Sequence, residues 1–156
     1  MSINKNYIKK FIKTTQMAAY GAALYIGKKD KILADQSAVD RMRNELNNIN
    51  MKGRIVIGEG ELDEAPMLYI NENVGTGIGD EIDIAVDPVE GTNFVAYDKP
   101  NAISVLAVAK RNEILNAPET YMDKIVVGPN LPKNIVDLDN DLEDNLISLA
   151  KAKNKK

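Results

Sequence analysis

A layered α/β or α+β fold, with N-terminal helices packed on a mixed β-sheet, is predicted by three features of the sequence. Apolar residues recur at helical intervals up to about Asn50, and the texture then changes at Lys52-Gly53 to short β-branched runs. Those runs are separated by glycines and acidic residues, the punctuation expected between strands and ligand-facing loops.

The opening segment from Ile3 to Ile26 places Ile8, Phe11, Ile12, Met17, Ala18, Ala22 and Tyr25 at helical spacing, with no proline and only Gly21 as an interruption before Gly27. It reads as a long amphipathic helix. Lys28, Lys29, Asp30 and Lys31 break the pattern, and a second helix is expected from about Ala34 through Val39, Met42 and Leu46 to about Asn50. Strands are expected at Arg54 to Ile57, Ile82 to Val86, Ile103 to Val108, Glu113 to Asn116 and Lys124 to Val127. The third and fourth of these, joined across Lys110-Arg111-Asn112, have the look of a hairpin. A short helix is expected between Glu90 and Tyr97, after a turn at Asp87-Pro88 that stops the preceding strand. From Asp139 onward an acidic start, then Leu142, Leu146 and Leu149, then a lysine-rich end predict a helix with favourable charges at both termini. No repeat, linker or composition shift marks an internal boundary, so residues 1–156 read as one domain.

Composition narrows the chemistry more than it narrows the fold. The 156 residues contain no cysteine and no histidine, which excludes a thiolate nucleophile, a disulfide frame, a Ser-His-Asp triad and an imidazole or thiolate metal site. Carboxylates, hydroxyls, lysines and hard cations bound through oxygen remain. A net charge of −3 offers no general attraction to nucleic acid or to an anionic membrane. The N-terminal residues do not form a secretory signal, and no stretch is long and apolar enough to span a bilayer, so a cytoplasmic protein is expected.

Carboxylates stand where strands run out into loops. Ile55-Val56-Ile57 leads into Gly58-Glu59-Gly60-Glu61, and Ile82-Asp83-Ile84-Ala85-Val86 leads into Asp87-Pro88-Val89-Glu90-Gly91-Thr92. Asp35 lies near the start of the second helix. Such a group suits Mg²⁺ or Mn²⁺, two of which can clamp a phosphoryl group from both sides. Thr92 would orient a water through its hydroxyl, and the N–H groups of Gly91 and Thr92 would hold phosphate oxygens if they open a helix. Bland readings stand beside these. Asp35 taken singly reads more readily as the N-cap of the second helix, and Gly58 to Glu61 reads equally as a solvated turn. The run from Asp87 to Thr92 favours the metal site, because a generic turn does not require acid, proline, acid, glycine and hydroxyl in that order.

That run resembles the D-P-x-[DE]-G-[ST] signature of the lithium-sensitive, metal-dependent phosphatases. The longer runs Ile55 to Tyr69, Val74 to Thr92 and Leu115 to Pro129 are similar to the class II fructose-1,6-bisphosphatases of bacteria, and the similarity extends along nearly the whole chain. The resemblance implies the N-terminal half of such an enzyme, with the C-terminal half of the family pattern absent. It implies hydrolysis of the 1-phosphate of fructose 1,6-bisphosphate in gluconeogenesis, with sedoheptulose 1,7-bisphosphate or an inositol phosphate as alternative substrates. Two ions, Mn²⁺ or Mg²⁺, would be held by Asp35 and Glu59 on one side and by Asp87 and Glu90 on the other. Glu59, Asp87 and Thr92 would be catalytic, and Glu90, Gly91, Thr92 and Tyr121 would contact substrate. Tyr121 read alone is a core or strand aromatic. Lys31 and Glu61 stand near the motif and would support it from outside, or be ordinary solvated charges. Gln36 follows Asp35 where the family pattern has glycine. A homo-oligomer, or a separate chain supplying the C-terminal half, would complete the site. A catalytically silent assembly module is the alternative.

Overall fold

The computed structural model describes residues 4–58, 68–115 and 123–154. The chain divides into two compact units, Met1–Ala117 and Pro118–Lys156.

The first unit begins with a 3₁₀ turn at Lys5–Tyr7 and continues into helix α1, Ile8–Ala23. Phe11, Thr14, Ala18, Gly21 and Ala22 form its buried stripe, the three-and-four spacing of one helix face. The helix is shorter at both ends than the apolar pattern predicts. Helix α2 spans Lys31–Asn47 and starts three residues earlier than expected. The charged break hides its cap: the Asp30 carboxylate accepts a hydrogen bond from the Leu33 N–H at 2.9 Å. Gly21 marks the closest approach of the two helices, since a Cβ there would stand 2.5 Å from the Ser37 carbonyl oxygen and 2.7 Å from Arg41 Cδ.

Strands β1 (Met51–Ile57), β2 (Asn73–Val74), β3 (Asp80–Glu90) and β4 (Ile103–Lys110) form a four-stranded mixed sheet in the order β2-β1-β3-β4. β1 and β3 run parallel, while β2 and β4 pair antiparallel at the two outer positions. Both helices pack against β3, and α1 also reaches β4. Met42 and Leu46 of α2 meet Met51, Ile55, Ile82 and Ile84 of the sheet in a core where each of these side chains is fully buried. Burial of each contributes about 2 kcal/mol. Tyr7 fastens the N-terminal turn to this layer by donating its hydroxyl to the Asn50 carbonyl at 2.8 Å.

Several expectations require correction. β3 does not stop at Pro88 but continues to Glu90, and its pairing with β4 shifts between Asp87 and Glu90. The missing proline N–H falls inside that irregularity, where no regular ladder bond is needed. Glu113 to Leu115 form no strand, and β4 takes β3 as its partner in place of a hairpin. The turn residues responsible are Arg111, whose N–H donates to the Glu81 carbonyl, and Asn112, which has φ 65°. Lys124 to Val127 are also not in a strand. The short helix α3, Thr92–Ala96, forms as expected.

In the second unit, helix α4 spans Leu142–Ala152, with Glu143 and Asp144 in its first turn and Lys151 in its last. This is the charge arrangement read from the sequence. Asn145 fastens the incoming chain by donating to the Asp137 carbonyl at 2.7 Å and accepting from the Asp137 N–H at 2.9 Å.

Candidate functional site

Asp87 lies near the end of β3, the strand between β1 and β4 in the sheet. Asp35 lies in the second turn of α2, so the helix that covers the sheet also carries a carboxylate to the end of β3. Together with Lys31, Ile32, Val89, Glu90, Gly91 and Thr92 they line one pocket of about 380 Å³. Asp35 is therefore not the N-cap of α2, a position that Asp30 holds.

The electrostatics of this pocket are those of acids short of partners. Asp35 Oδ1 and Asp87 Oδ1 are both buried, and neither has a hydrogen-bond partner. Burial raises the Asp35 carboxyl above its ordinary value. Asp87 is pushed up to about 6, first by burial, then by the adjacent Glu90 carboxyl, with a smaller push from Asp35; the Val89 N–H opposes these. A buried carboxylate oxygen without a donor is costly, and a cation is a group that relieves it. The donor set consists of oxygens alone, which matches hard divalent ions.

Gly91 joins β3 to α3 at φ 88° and ψ 47°, a left-handed conformation in which a Cβ would meet the Phe94 ring at 3.0 Å. That turn brings Thr92 to the pocket directly after Glu90. Among the described residues no three acidic side chains converge closely enough to form a complete cage. Glu59, expected as a ligand, Tyr121, expected as a substrate contact, and Glu61 lie outside the described residues.

None of the arginines lines the pocket. Arg41 lies over the Tyr20 ring, 4.9 Å from its centroid, and Arg43 pairs with Glu72 at 2.7 Å. Arg54 and Arg111 both grip Asp83, at 2.9 and 2.7 Å. The sequence reading assigned Asp83 no role, although a lone acid between Ile82 and Ile84 was a visible signal. A separate, largely apolar cavity of about 220 Å³, lined by residues including Ala22, Ile26, Val95 and Ile103, contains none of the candidate acids.

Helices on a mixed sheet, with carboxylates brought from a helix and a strand end to one pocket, define an α/β protein with an all-oxygen site suited to hard cations. Comparison with known proteins makes the assignment more specific. The family model described as "Bacterial fructose-1,6-bisphosphatase, glpX-encoded" matches residues 5–156, and the chain belongs to that family. It is 52% identical over 143 residues to fructose-1,6-bisphosphatase 1 class 2 of Escherichia coli, a match covering 92% of this chain and 42% of that protein. Against fructose-1,6-bisphosphatase class 2 of Haemophilus influenzae it is 49% identical over 148 residues, covering 95% of this chain and 44% of the relative. It is also 46% identical over 153 residues to D-fructose 1,6-bisphosphatase class 2/sedoheptulose 1,7-bisphosphatase of Thermosynechococcus vestitus, covering 90% of this chain and 44% of the relative. The chain thus spans less than half the length of these relatives.

Proposed function

We propose that this chain carries the cation-binding part of a metal-dependent sugar-bisphosphate phosphatase. The reaction is hydrolysis of the 1-phosphate of fructose 1,6-bisphosphate to fructose 6-phosphate and inorganic phosphate. The observation that carries this reading is the pair of buried, unpartnered oxygens of Asp35 and Asp87, delivered to one pocket by two different elements. Asp35, Asp87 and Glu90, completed by Glu59, hold Mn²⁺ or Mg²⁺. When bound, such ions neutralise phosphoryl oxygens and lower the pKa of water.

The chain's own groups do the remaining work visible in the pocket. The Thr92 hydroxyl accepts from and orients the attacking water, and Asp87 and Glu90 keep the pocket anionic enough to retain cations ahead of substrate. The Gly91 turn exposes the first amides of α3 toward the phosphate, whose oxygens need donors in that plane. Among the described residues that line the same pocket Lys31 is the one cationic side chain, and it steers the dianionic phosphate inward. Tyr121 contacts the sugar. The reaction site is cytoplasmic in this reading. No helix among the described residues is long and apolar enough to cross a membrane.

A second reading is favoured by the engagement of all the arginines elsewhere in the fold. A bisphosphate carries a second dianion that planar, bidentate donors hold best, and the described pocket has none. In that reading the chain binds cations but needs a homo-oligomer or a complementary C-terminal chain to grip the sugar. Phosphate release from fructose 1,6-bisphosphate with Mn²⁺, with Asp87→Asn as control, separates the two. Release that disappears in the variant supports a complete phosphatase site. Absence of release that is restored by adding the C-terminal portion of a relative supports the second.

A further inference from the structure

We propose that Asp83 is a positioning residue whose carboxylate, gripped by Arg54 and Arg111, locks the register of β1, β3 and β4 and so fixes where Asp87 and Glu90 emerge. The second half of this statement rests on the reading of Asp87 and Glu90 given above.

Asp83 is completely buried in the first half of β3, a place where a charge is tolerated only when fully paired. Its pairing is complete. Arg54 donates from Nε to Oδ1 at 3.1 Å and from Nη2 to Oδ2 at 2.9 Å. Arg111 Nη1 donates to Oδ1 at 2.7 Å, and the Asn112 N–H donates to Oδ2 at 2.7 Å. The donors are themselves tied together: Arg54 Nη2 reaches Asn112 Oδ1 at 3.1 Å, and Arg111 Nη2 reaches the Lys52 carbonyl at 2.7 Å. One carboxylate therefore connects β1, β3 and the turn that follows β4.

Stability alone does not account for such a node, because well-packed apolar residues commonly replace a buried ion group without loss. Register does account for it. β4 carries Ile103, Val105, Ala107 and Ala109 on one face and Leu106 and Val108 between Ser104 and Lys110 on the other, so apolar residues line both faces and the pattern penalises a slip only weakly. Downstream of Asp83 the ladder is irregular, with shifts between Ile55 and Ile57 and between Asp87 and Glu90. The regular ladder between those shifts and the start of β3 contains the Asp83 node. A slip of one residue there would displace the strand by about 3.3 Å and turn its side chains to the opposite face. Val105 and Ile103 of β4 would then leave Asp87 and Glu90, and the irregularity that sets where these two carboxylates emerge would move.

The test uses the full chain with Mn²⁺ alone as probe. Asp83→Asn removes the charge at constant shape. Arg111→Met removes the anchor after β4 and leaves Arg54 bidentate on Asp83, so it serves if the first variant does not fold. Cooperative metal-free melting establishes folding. The nuclear Overhauser contact between Ala85 and Ala107, direct partners in the native register, reports pairing. Electron paramagnetic resonance reports Mn²⁺ affinity. The expected result is a folded variant with a lost or divided Ala85–Ala107 contact and at least tenfold weaker Mn²⁺ binding, partly recovered in Arg111→Lys. A folded Arg111→Met that keeps the single native contact, or that binds Mn²⁺ as the parent does, overturns the proposal. If the parent chain itself binds no Mn²⁺, the cation reading fails, while the Ala85–Ala107 contact still decides the lock.

Discussion

Asp87 is half-buried near the end of β3 beside Glu90, and its proton affinity records that position. Its carboxyl is pushed up to about 6 by burial and by Glu90. A folded-state pKa above the unfolded one means that the protonated form stabilises the metal-free fold. That contribution is fully present below the unfolded value, about 3.9, and is lost as pH rises through about 6. The unfolding free energy in the presence of a chelator should therefore fall between about pH 4 and pH 6.5, by on the order of 1 kcal/mol after allowance for solvent screening, which a falling melting temperature would report. The Asp87→Asn chain should lose most of that slope. Asp83 works in the opposite direction: burial raises its carboxyl, but hydrogen bonds from Arg54 and the Asn112 N–H, and both guanidinium charges, outweigh this and hold it below 3.8. Its contribution is lost only as pH falls through that lower value, outside the window of the first effect. Gly91 supplies a further test at this scale. Gly91→Ala forces a methyl into a left-handed turn and against Phe94, and chemical denaturation should show a loss of about 1–2 kcal/mol.

At the scale of elements, the α1–α2 contact controls how Asp35 meets the sheet. Gly21 allows α1 to approach the α2 backbone at Ser37, two residues beyond Asp35. Gly21→Ala normally favours a helix, by about 1 kcal/mol. Here it should instead destabilise by about 1–3 kcal/mol through overpacking, which a denaturation midpoint would show directly. Much at this scale was legible in the sequence. The helical spacing located both N-terminal helices, and β-branched runs located the cores of β1, β3 and β4. The limits of these elements were not legible, because Asp30 caps α2 from within a charged run and β3 passes through Pro88 at a bulge. The expected hairpin failed for a long-range reason. Arg111 and Asn112 are held by Asp83, 28 and 29 residues away, a pairing that local turn chemistry does not reveal.

For the whole molecule, the question is how a short acidic motif becomes a site. The order of residues from Asp87 to Thr92 marked a candidate, the family resemblance set Asp35 beside it, and the fold brings Asp35 and Asp87 to one pocket. No spacing rule would have joined the two, since their meeting depends on α2 packing against β3. The four arginines show the converse: their charge was visible in the sequence, but their use in holding the fold was not. The central question is whether Asp35 and Asp87 both hold cations in this pocket. The most direct measurement is a Mn²⁺ titration of the parent chain, Asp35→Asn and Asp87→Asn, followed by electron paramagnetic resonance. Saturable binding by the parent, weakened by more than about 100-fold in each variant while both remain folded, is the predicted result. Equal binding by all three chains, or no binding by the parent, would contradict it.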